Sequence, residues 1–253
     1  MPRGGPRYAV PPCHLSIVIP VRNEADNLPA LLDEIDAALA AQAPYEVIVV
    51  DDGSTDATAA VLAARAATAP HLRVLRHPRS GGQSAAIHSG VLAARADVVA
   101  TLDGDGQNPP ADLPRLVAPL LGGPPGLGLV AGQRVGRKDT LSKRLASRAA
   151  NAIRSWALAD GTRDTGCGLK AFRRDAFLRL PYFDHMHRYL PALFARDGWQ
   201  IRLVDVGHRP RGAGRSNYTN LQRALVGAVD LLGVMWLIRR RKKAQPAATG
   251  ESE

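Results

Sequence analysis

Short apolar runs recur along the first half of the chain and predict buried β-strands. The run at 15–20 ends at a proline, and β-branched runs follow at 46–50, 72–75 and 98–102. After the first run, leucine and isoleucine recur at the spacing of one helix face. The residues of this predicted apolar face are Leu28, Leu31, Leu32, Ile35 and Leu39.

Two more helices are predicted between the later strands. An alanine-rich segment follows Asp56, whose carboxylate can cap a helix, and another helical segment follows Gly82. Strands that alternate with helices of this length are typical of an α/β domain. Its single sheet is expected to be mostly parallel, with right-handed crossovers and flanking helices.

Polar residues follow three of the predicted strands, at 20–24, 51–54 and 103–107. In a parallel sheet the carboxyl ends of the strands share one edge, and ligands bind in the crevice outside that edge. We therefore expect the three clusters, which are far apart in sequence, to meet in one crevice.

The pattern becomes less regular after about residue 125. Apolar runs predict strands at 128–131, 168–172 and 201–206, and a basic segment at 140–158 predicts a helix.

The last apolar segment, 224–238, contains Asp230 as its one charged residue and runs into basic residues at 239–243. Its fifteen residues are fewer than the roughly 20 that span a bilayer. Trp236 and the basic end are typical of a helix that lies in a membrane interface. An ordinary core helix is an equally good interpretation.

These patterns divide the chain into four segments. Residues 1–13 lack the apolar run of a signal peptide, and 244–253 are polar, so both are predicted to be disordered tails. Residues 14–220 form one domain, and 221–243 form the C-terminal helix with its basic end. The two cysteines, Cys13 and Cys167, provide no disulfide framework, which favours a reducing compartment.

Charge favours an anionic partner. The 33 basic and 23 acidic residues give a net charge of +10, and basic residues crowd the stretch 134–148. Nucleic acid, phosphorylated substrates and anionic lipid headgroups are all compatible with this charge. The basic segments lack the interleaved aromatic residues of a nucleic-acid-binding surface, so nucleic acid is not an expected partner.

The cluster at 103–107 has the chemistry of a metal site. Asp103, Asp105 and Gln107 place oxygen ligands at alternating positions of a glycine-containing turn, which suits Mg²⁺ or Mn²⁺ bound together with phosphate oxygens. Asp52, after an earlier strand, can accept hydrogen bonds from a nucleoside base or ribose, or form an Asx turn before Gly53.

Three motifs together resemble family 2 glycosyltransferases of the GT-A fold. They are LSIVIPVRNE (15–24), VVDDGSTD (49–56) and LDGDGQNPP (102–110). Within that family the chain is similar to the polyprenyl-phosphate glycosyltransferases, the group that contains dolichyl-phosphate mannose synthase. The segments that carry this closer resemblance are GQR (132–134), Arg144 with Ser147 and Asn151, DTGCGLK (164–170) and HRPRGAGRSNY (208–218).

The resemblance implies a set of functional residues. The residues expected to bind the nucleotide-sugar donor are Pro20, Arg22, Glu24, Val50, Asp52, Gln83, Asp103, Gly104 and Asn217. The expected metal ligands are Asp103, Asp105 and Gln107, and the acceptor phosphate is expected to meet Arg134, Arg144 and Ser147. The residues expected to act in catalysis are Asp105, Arg134, Arg144 and Arg211. Arg22 stands where an aromatic residue is common in the family, and Asn217 where a lysine is frequent.

The implied reaction is transfer of a sugar, with inversion, from a nucleotide sugar to a polyprenyl phosphate at the cytoplasmic face of a membrane. A lipid phosphate is already an anion at neutral pH and needs no general base, which agrees with the lack of a candidate His–carboxylate base. The alternatives are another acceptor, a nucleotide-sugar-binding protein without turnover, and a haloacid-dehalogenase-like phosphatase. The last is disfavoured because its Asp-x-Asp motif normally opens the domain.

Overall fold

The computed structural model describes residues 14–42, 44–135, 154, 157–158, 161–210 and 220–241 of the 253-residue chain. The strands are β1 (Leu15–Val21), β2 (Tyr45–Asp51), β3 (Leu72–Arg76), β4 (Val98–Thr101), β5 (Leu127–Arg134), β6 (Lys170–Arg173) and β7 (Gln200–Val206). The helices are α1 (Leu28–Leu39), α2 (Thr58–Ala66), α3 (Gln83–Ala93), α4 (Leu113–Leu121), α5 (Arg174–Leu178), α6 (Leu190–Arg196) and α7 (Asn220–Arg239). Short 3₁₀ helices occupy Ala40–Gln42, Pro110–Asp112 and Met186–Arg188.

The strands form one sheet in the order β3-β2-β1-β4-β6-β5-β7. The first four strands are parallel, β6 is antiparallel to both β4 and β5, and β7 is parallel to β5. The predicted α/β fold with a mostly parallel sheet is therefore confirmed. Because the chain moves outward from β1 to β3 and then returns to β4 on the other side of β1, the order reverses at β1. A crevice opens at such a reversal.

Apolar side chains of the sheet face two helical layers. One layer contains α1, α2 and α4, and the face predicted for α1 is buried at all five of its positions. The other layer contains α3, α5, α6 and α7, and it packs on the alternate residues of the strands. Each sheet residue meets one layer or the other because side chains alternate across a strand.

Most predicted elements are present, and the differences lie mainly in the second half of the chain. The strand expected at 168–172 begins only at Lys170 and extends to Arg173. Helix α4 was missed, since the prolines in and before it obscure the helical pattern, although proline is tolerated in a first turn. The basic helix predicted at 140–158 lies mostly outside the described residues, as do both predicted tails.

Helix α7 begins at Asn220, earlier than predicted, and is 20 residues long. Its inner face packs on the second apolar layer through Leu231, Val234 and Met235. Its outer face exposes apolar side chains, which are Val226, Val229, Leu232 and Trp236. The packed inner face agrees with the interpretation as a core helix, and the interpretation as a helix in a membrane interface stays a prediction. In the described ranges, no helix has both the length and the apolar character to cross a bilayer.

Candidate functional site

The three polar clusters meet, as predicted, in one cleft at the carboxyl ends of β1, β2 and β4. The cleft has a volume of about 340 Å³. The predicted site residues that line it are Pro20, Arg22, Glu24, Asp52, Gln83, Asp103, Gly104 and Asp105. Val50 lies instead in the core, fully buried, and Gln107 is not among the lining residues.

The β1–α1 loop is fastened to the β2–α2 loop. Asn23, which has a positive φ of 57°, donates its backbone N–H to Ser54 Oγ (2.9 Å), and its Oδ1 accepts from the N–H of Thr55 (2.8 Å). Glu24 donates its N–H to Thr58 Oγ1 (2.9 Å). The hydroxyls and amides of one loop therefore hold Arg22 and Glu24 at the mouth of the cleft.

Asp51 takes one of the two roles expected of Asp52, and Asp52 has a role that was not expected. The Asx turn belongs to Asp51, whose Oδ1 accepts from Ser54 N–H (2.8 Å). Asp52 instead organises the loop before α3. Its carboxylate accepts hydrogen bonds from the Ser80 hydroxyl (2.6 Å), the His77 ring Nδ1 (2.6 Å), and the N–H groups of Gly81 (2.8 Å) and Gly82 (2.9 Å).

This set of donors controls the ionisation of Asp52. Burial alone would raise its pKa, but the hydrogen bonds from Ser80, Gly81, His77 and Gly82 outweigh burial and lower the pKa below its ordinary value. Four donors match the lone-pair capacity of a carboxylate. In this state Asp52 therefore shapes the wall of the cleft, and a nucleoside would meet the loop that Asp52 holds.

Asp103 and Asp105 line the cleft on the turn after β4. Burial, and then the negative charge of Asp105, raise the pKa of Asp103. A divalent cation would relieve that repulsion, so the pair fits Mg²⁺ or Mn²⁺. Among the residues that the structure describes, no group of three or more His, Cys, Asp or Glu side chains could hold a metal by itself. An ion here would take its other ligands from phosphate oxygens and water.

Gln107 points toward a different segment. Its side-chain amide lies 3.5 Å from the carbonyl oxygen of Arg209, and Arg209 N–H donates to the Gln107 carbonyl (2.9 Å). Arg209 also forms an ion pair with Glu34 on α1 (2.9 Å). These contacts fasten the start of the 208–218 segment beside the turn that carries Asp103 and Asp105.

The 164–170 segment lies beside Asp103 and is held by β5. Arg134, at the end of β5, donates from Nε and Nη2 to the two carboxylate oxygens of Asp164 (2.6 and 2.9 Å). The side-chain oxygen of the buried Gln133 accepts from the N–H groups of Arg163 (2.9 Å) and Asp164 (3.0 Å). Lys170 is buried and donates to the carbonyl of Cys167.

The same segment presses against Asp103. A methyl group on Gly168 would overlap the Asp103 carboxylate, and the Gly168 carbonyl accepts from Thr101 Oγ1 (2.8 Å). The positive charges of Lys170 and Arg134 both act to lower the pKa of Asp103, although burial dominates. The residue patterns predicted no role for Gln133, Asp164, Gly168 or Lys170. The available signal was the resemblance of the GQR and DTGCGLK segments, which contain them.

Four predicted site residues lie outside the described residues. They are Arg144, Ser147, Arg211 and Asn217. Of the predicted phosphate-binding arginines, Arg134 is therefore the one whose position the structure describes.

Comparison with known proteins decides the family. The profile described as "Glycosyl transferase family 2" matches residues 16–180. The chain belongs to this family. The phosphatase alternative is therefore wrong, and the Asp-x-Asp motif after β4 belongs to a family 2 glycosyltransferase.

Curated relatives of this glycosyltransferase have related names. It is 35% identical over 252 residues to a dodecaprenyl-phosphate galacturonate synthase of Rhizobium johnstonii, covering 97% of this chain and 72% of that protein. It is 38% identical over 212 residues to an undecaprenyl-phosphate 4-deoxy-4-formamido-L-arabinose transferase of Pectobacterium carotovorum, covering 83% of this chain and 64% of that protein. The chain thus spans about two thirds of the length of these relatives.

Solved structures confirm the GT-A fold. A glucosyl-3-phosphoglycerate synthase from Mycobacterium tuberculosis, in complex with Mn²⁺, UDP and phosphoglyceric acid, matches with a TM-score of 0.66 and 22% identity, covering 92% of this chain and 80% of that one. A mannosyl-3-phosphoglycerate synthase from Rubrobacter xylanophilus matches with a TM-score of 0.67 and 21% identity, covering 94% and 79%.

Proposed function

We propose that this family 2 glycosyltransferase transfers a sugar from a nucleotide-sugar donor to a polyprenyl phosphate, giving a lipid-phosphate-linked sugar. The observation that carries the proposal is the placement of Asp103. Its carboxylate lies between a cleft of nucleotide size and a wall that holds Arg134. One turn of the chain thus separates a donor side from a basic acceptor side. The names of the curated relatives support the same substrate class.

The donor side is the cleft itself. The β1–α1 loop, with Arg22 and Glu24, and the loop held by Asp52 are proposed to receive the nucleoside. Gln83, Asp103 and Asp105 are proposed to receive the diphosphate and its metal ion. When bound, Mg²⁺ or Mn²⁺ would neutralise the diphosphate and stabilise it as a leaving group. Solved structures of the same fold contain Mn²⁺ or Mg²⁺ with UDP.

The acceptor side supplies positive charge. Arg134, with Arg144 and Ser147, is proposed to bind the phosphate of the lipid, and Arg211 is proposed to act on the donor. A phosphate oxygen attacks the anomeric carbon and forms the new C–O bond as the bond to the nucleoside diphosphate breaks. No proton has to be removed, because the acceptor is already an anion. What the site must supply is compensation of charge between two anionic substrates.

A lipid acceptor also requires access to a membrane, and α7 is proposed to provide it. Val229, Leu232 and Trp236 are 70, 67 and 61% exposed on one face of the helix. The exposed residues Arg239, Arg240 and Arg241 follow directly, so apolar and basic surfaces lie end to end. Such a helix binds an interface that contains anionic lipids. We propose that the reaction takes place at the cytoplasmic face of the membrane.

Sugar transfer is tested with purified protein, Mn²⁺ or Mg²⁺, a panel of nucleotide sugars and a short-chain polyprenyl phosphate. Nucleoside diphosphate should be released only when the lipid is present, and a lipid-linked sugar should form. Asp105→Ala should abolish both. Full activity of Asp105→Ala would contradict the mechanism. Nucleotide-sugar binding with no product from any donor would instead favour the alternative of a binding protein.

Membrane binding is tested by sedimentation with phosphatidylglycerol–phosphatidylcholine vesicles. Trp236→Glu and Leu232→Glu should prevent binding without unfolding the protein, since both side chains are exposed. Leu92→Glu is the matched control, because Leu92 is an apolar residue on α3 whose exposed fraction is 54%. Sedimentation of Trp236→Glu at the wild-type level would assign the exposed face of α7 another role.

A further inference from the structure

His187 and Ser84 form a reciprocal pair, although they are 103 residues apart in sequence. The Ser84 hydroxyl lies 2.8 Å from His187 Nδ1, and the backbone N–H of His187 donates to Ser84 Oγ at 3.4 Å. Ser84 is buried and lies in the first turn of α3. The 3₁₀ helix Met186–Arg188 is therefore fastened to the start of α3.

The imidazole of His187 is uncharged in this pair. Burial lowers the pKa of His187 well below its ordinary value, and the positive charges of Lys170, Arg188 and His185 lower it further. The ring is therefore neutral at physiological pH. A neutral imidazole accepts from the Ser84 hydroxyl at Nδ1 in one tautomer and donates to the hydroxyl oxygen in the other, so either tautomer joins the two side chains.

The residue next to Ser84 contacts the proposed metal ligand. Gln83 Nε2 donates to Asp103 Oδ1 at 2.7 Å, while Asn108 Nδ2 lies 3.4 Å from Oδ2. The orientation of the Asp103 carboxylate therefore depends on where the first turn of α3 places the Gln83 amide. A hydrogen bond aims a carboxylate at its ion only if its donor is itself held in place.

We propose that His187 is a positioning residue for the donor site, which holds Ser84 and thereby keeps the Gln83 amide against Asp103. The inference rests on the proposed function, because Asp103 is taken as a ligand of the metal that binds the donor diphosphate. His187 contributes no atom to the reaction. Its effect is on the affinity for the metal–nucleotide complex.

The segment that carries His187 has other anchors, so loss of the imidazole leaves the segment in place. The Tyr189 hydroxyl donates to the Gly227 carbonyl on α7 at 3.2 Å, and burial raises the pKa of Tyr189 to about 12, which keeps this donor protonated. His185 Nδ1 lies 3.2 Å from the Asp230 carboxylate on the same helix. A variant at 187 is therefore expected to fold.

The test measures binding of Mn²⁺ together with UDP or GDP by calorimetry, without acceptor. His187→Ala should weaken binding roughly fivefold, as expected for loss of one positioning hydrogen bond. His187→Asn should restore most of the affinity, because its Oδ1 can accept from the Ser84 hydroxyl. His88→Ala is the control. His88 lies on another part of α3, and its ring contacts Phe177 and Tyr182 instead of Ser84.

A double-mutant cycle separates positioning from general support of the fold. In a Gln83→Ala background, His187→Ala should cause no further loss of affinity, because the contact through which it acts is already absent. Additive losses, or wild-type affinity of His187→Ala, would overturn the inference. Failure of the wild type to bind either nucleotide with Mn²⁺ would overturn the donor site and this inference with it. Absence of transfer to lipid would leave this binding test unaffected.

Discussion

Arg134 and Asp164 form a bidentate ion pair in which Nε and Nη2 of the arginine lie 2.6 and 2.9 Å from the two carboxylate oxygens. Burial alone would lower the pKa of Arg134, but its pairing with Asp164 raises the pKa above the ordinary value. The pair uses the Nε–Nη2 edge of the guanidinium, which is the bidentate geometry that arginine favours with carboxylates. Under the proposed function, Asp164 would orient this guanidinium for the acceptor phosphate.

Arg134→Lys should weaken acceptor binding. An ammonium group keeps the charge but cannot reproduce the two-pronged pair, so the KM for polyprenyl phosphate should rise about tenfold, or ~1.4 kcal/mol, with little change in the donor KM. Steady-state kinetics with each substrate varied in turn would measure this. Arg163→Lys is the control, because Arg163 pairs with Asp205 at the surface. A rise in donor KM alone would contradict the assignment.

Gly168→Ala should disrupt the metal site. The added methyl group would overlap the Asp103 carboxylate, which must then move. We expect affinity for Mn²⁺ with UDP or GDP to fall at least tenfold, with a destabilisation of about 1–3 kcal/mol from overpacking. Gly233→Ala is the matched control, since that position in α7 has open space around it. Wild-type affinity in Gly168→Ala would show that Asp103 needs no fixed position.

Asp52→Asn should loosen the loop before α3. The asparagine side chain has an NH₂ group where the carboxylate has an acceptor oxygen, so some hydrogen-bond donors of the loop lose their acceptor. Each buried donor left unpaired costs about 1–3 kcal/mol. The midpoint of thermal unfolding and the nucleotide affinity should both fall. Asp26→Asn removes the same charge at an exposed position and should change neither. Loss of affinity with an unchanged unfolding midpoint would instead indicate direct contact between Asp52 and the nucleoside.

Glu46 should make stability depend on pH in the acid range. Burial alone would raise its pKa, but hydrogen bonds from Arg73, Ser16 and the Arg95 N–H lower it below the ordinary value. A carboxyl whose pKa is lower in the folded state stabilises the fold above its unfolded pKa of about 4.3, and that stability is lost as pH falls through the folded pKa.

Glu46→Gln should therefore reduce the slope of unfolding free energy against pH below about pH 5, where the wild type loses stability. Urea denaturation across a pH series would measure the slope. Glu34→Gln is the control, because Glu34 pairs with Arg209 at an exposed position, where an ion pair contributes little. Equal slopes for wild type and Glu46→Gln would show that Glu46 has the same pKa in both states.

The sequence by itself determined the first four strands and the meeting of their polar ends. Apolar runs mark buried strands, and parallel strands bring their carboxyl ends to one edge, so Arg22, Asp52 and Asp103 had to converge. The periodicity of α1 likewise identified each of its buried residues, because one helix face must cover the sheet.

Only the tertiary structure decided which donors each carboxylate meets. Asp52 accepts hydrogen bonds from residues that lie 25 to 30 positions later in the sequence. Asp103 contacts Gln83, which precedes it in the sequence, and Gly168, which follows it. Such contacts depend on how loops close over the sheet edge, which neither periodicity nor spacing encodes. The reversed strand β6 and the two-sided burial of α7 have the same origin. Local pattern predicts an element, whereas its neighbours determine its direction and its exposed face.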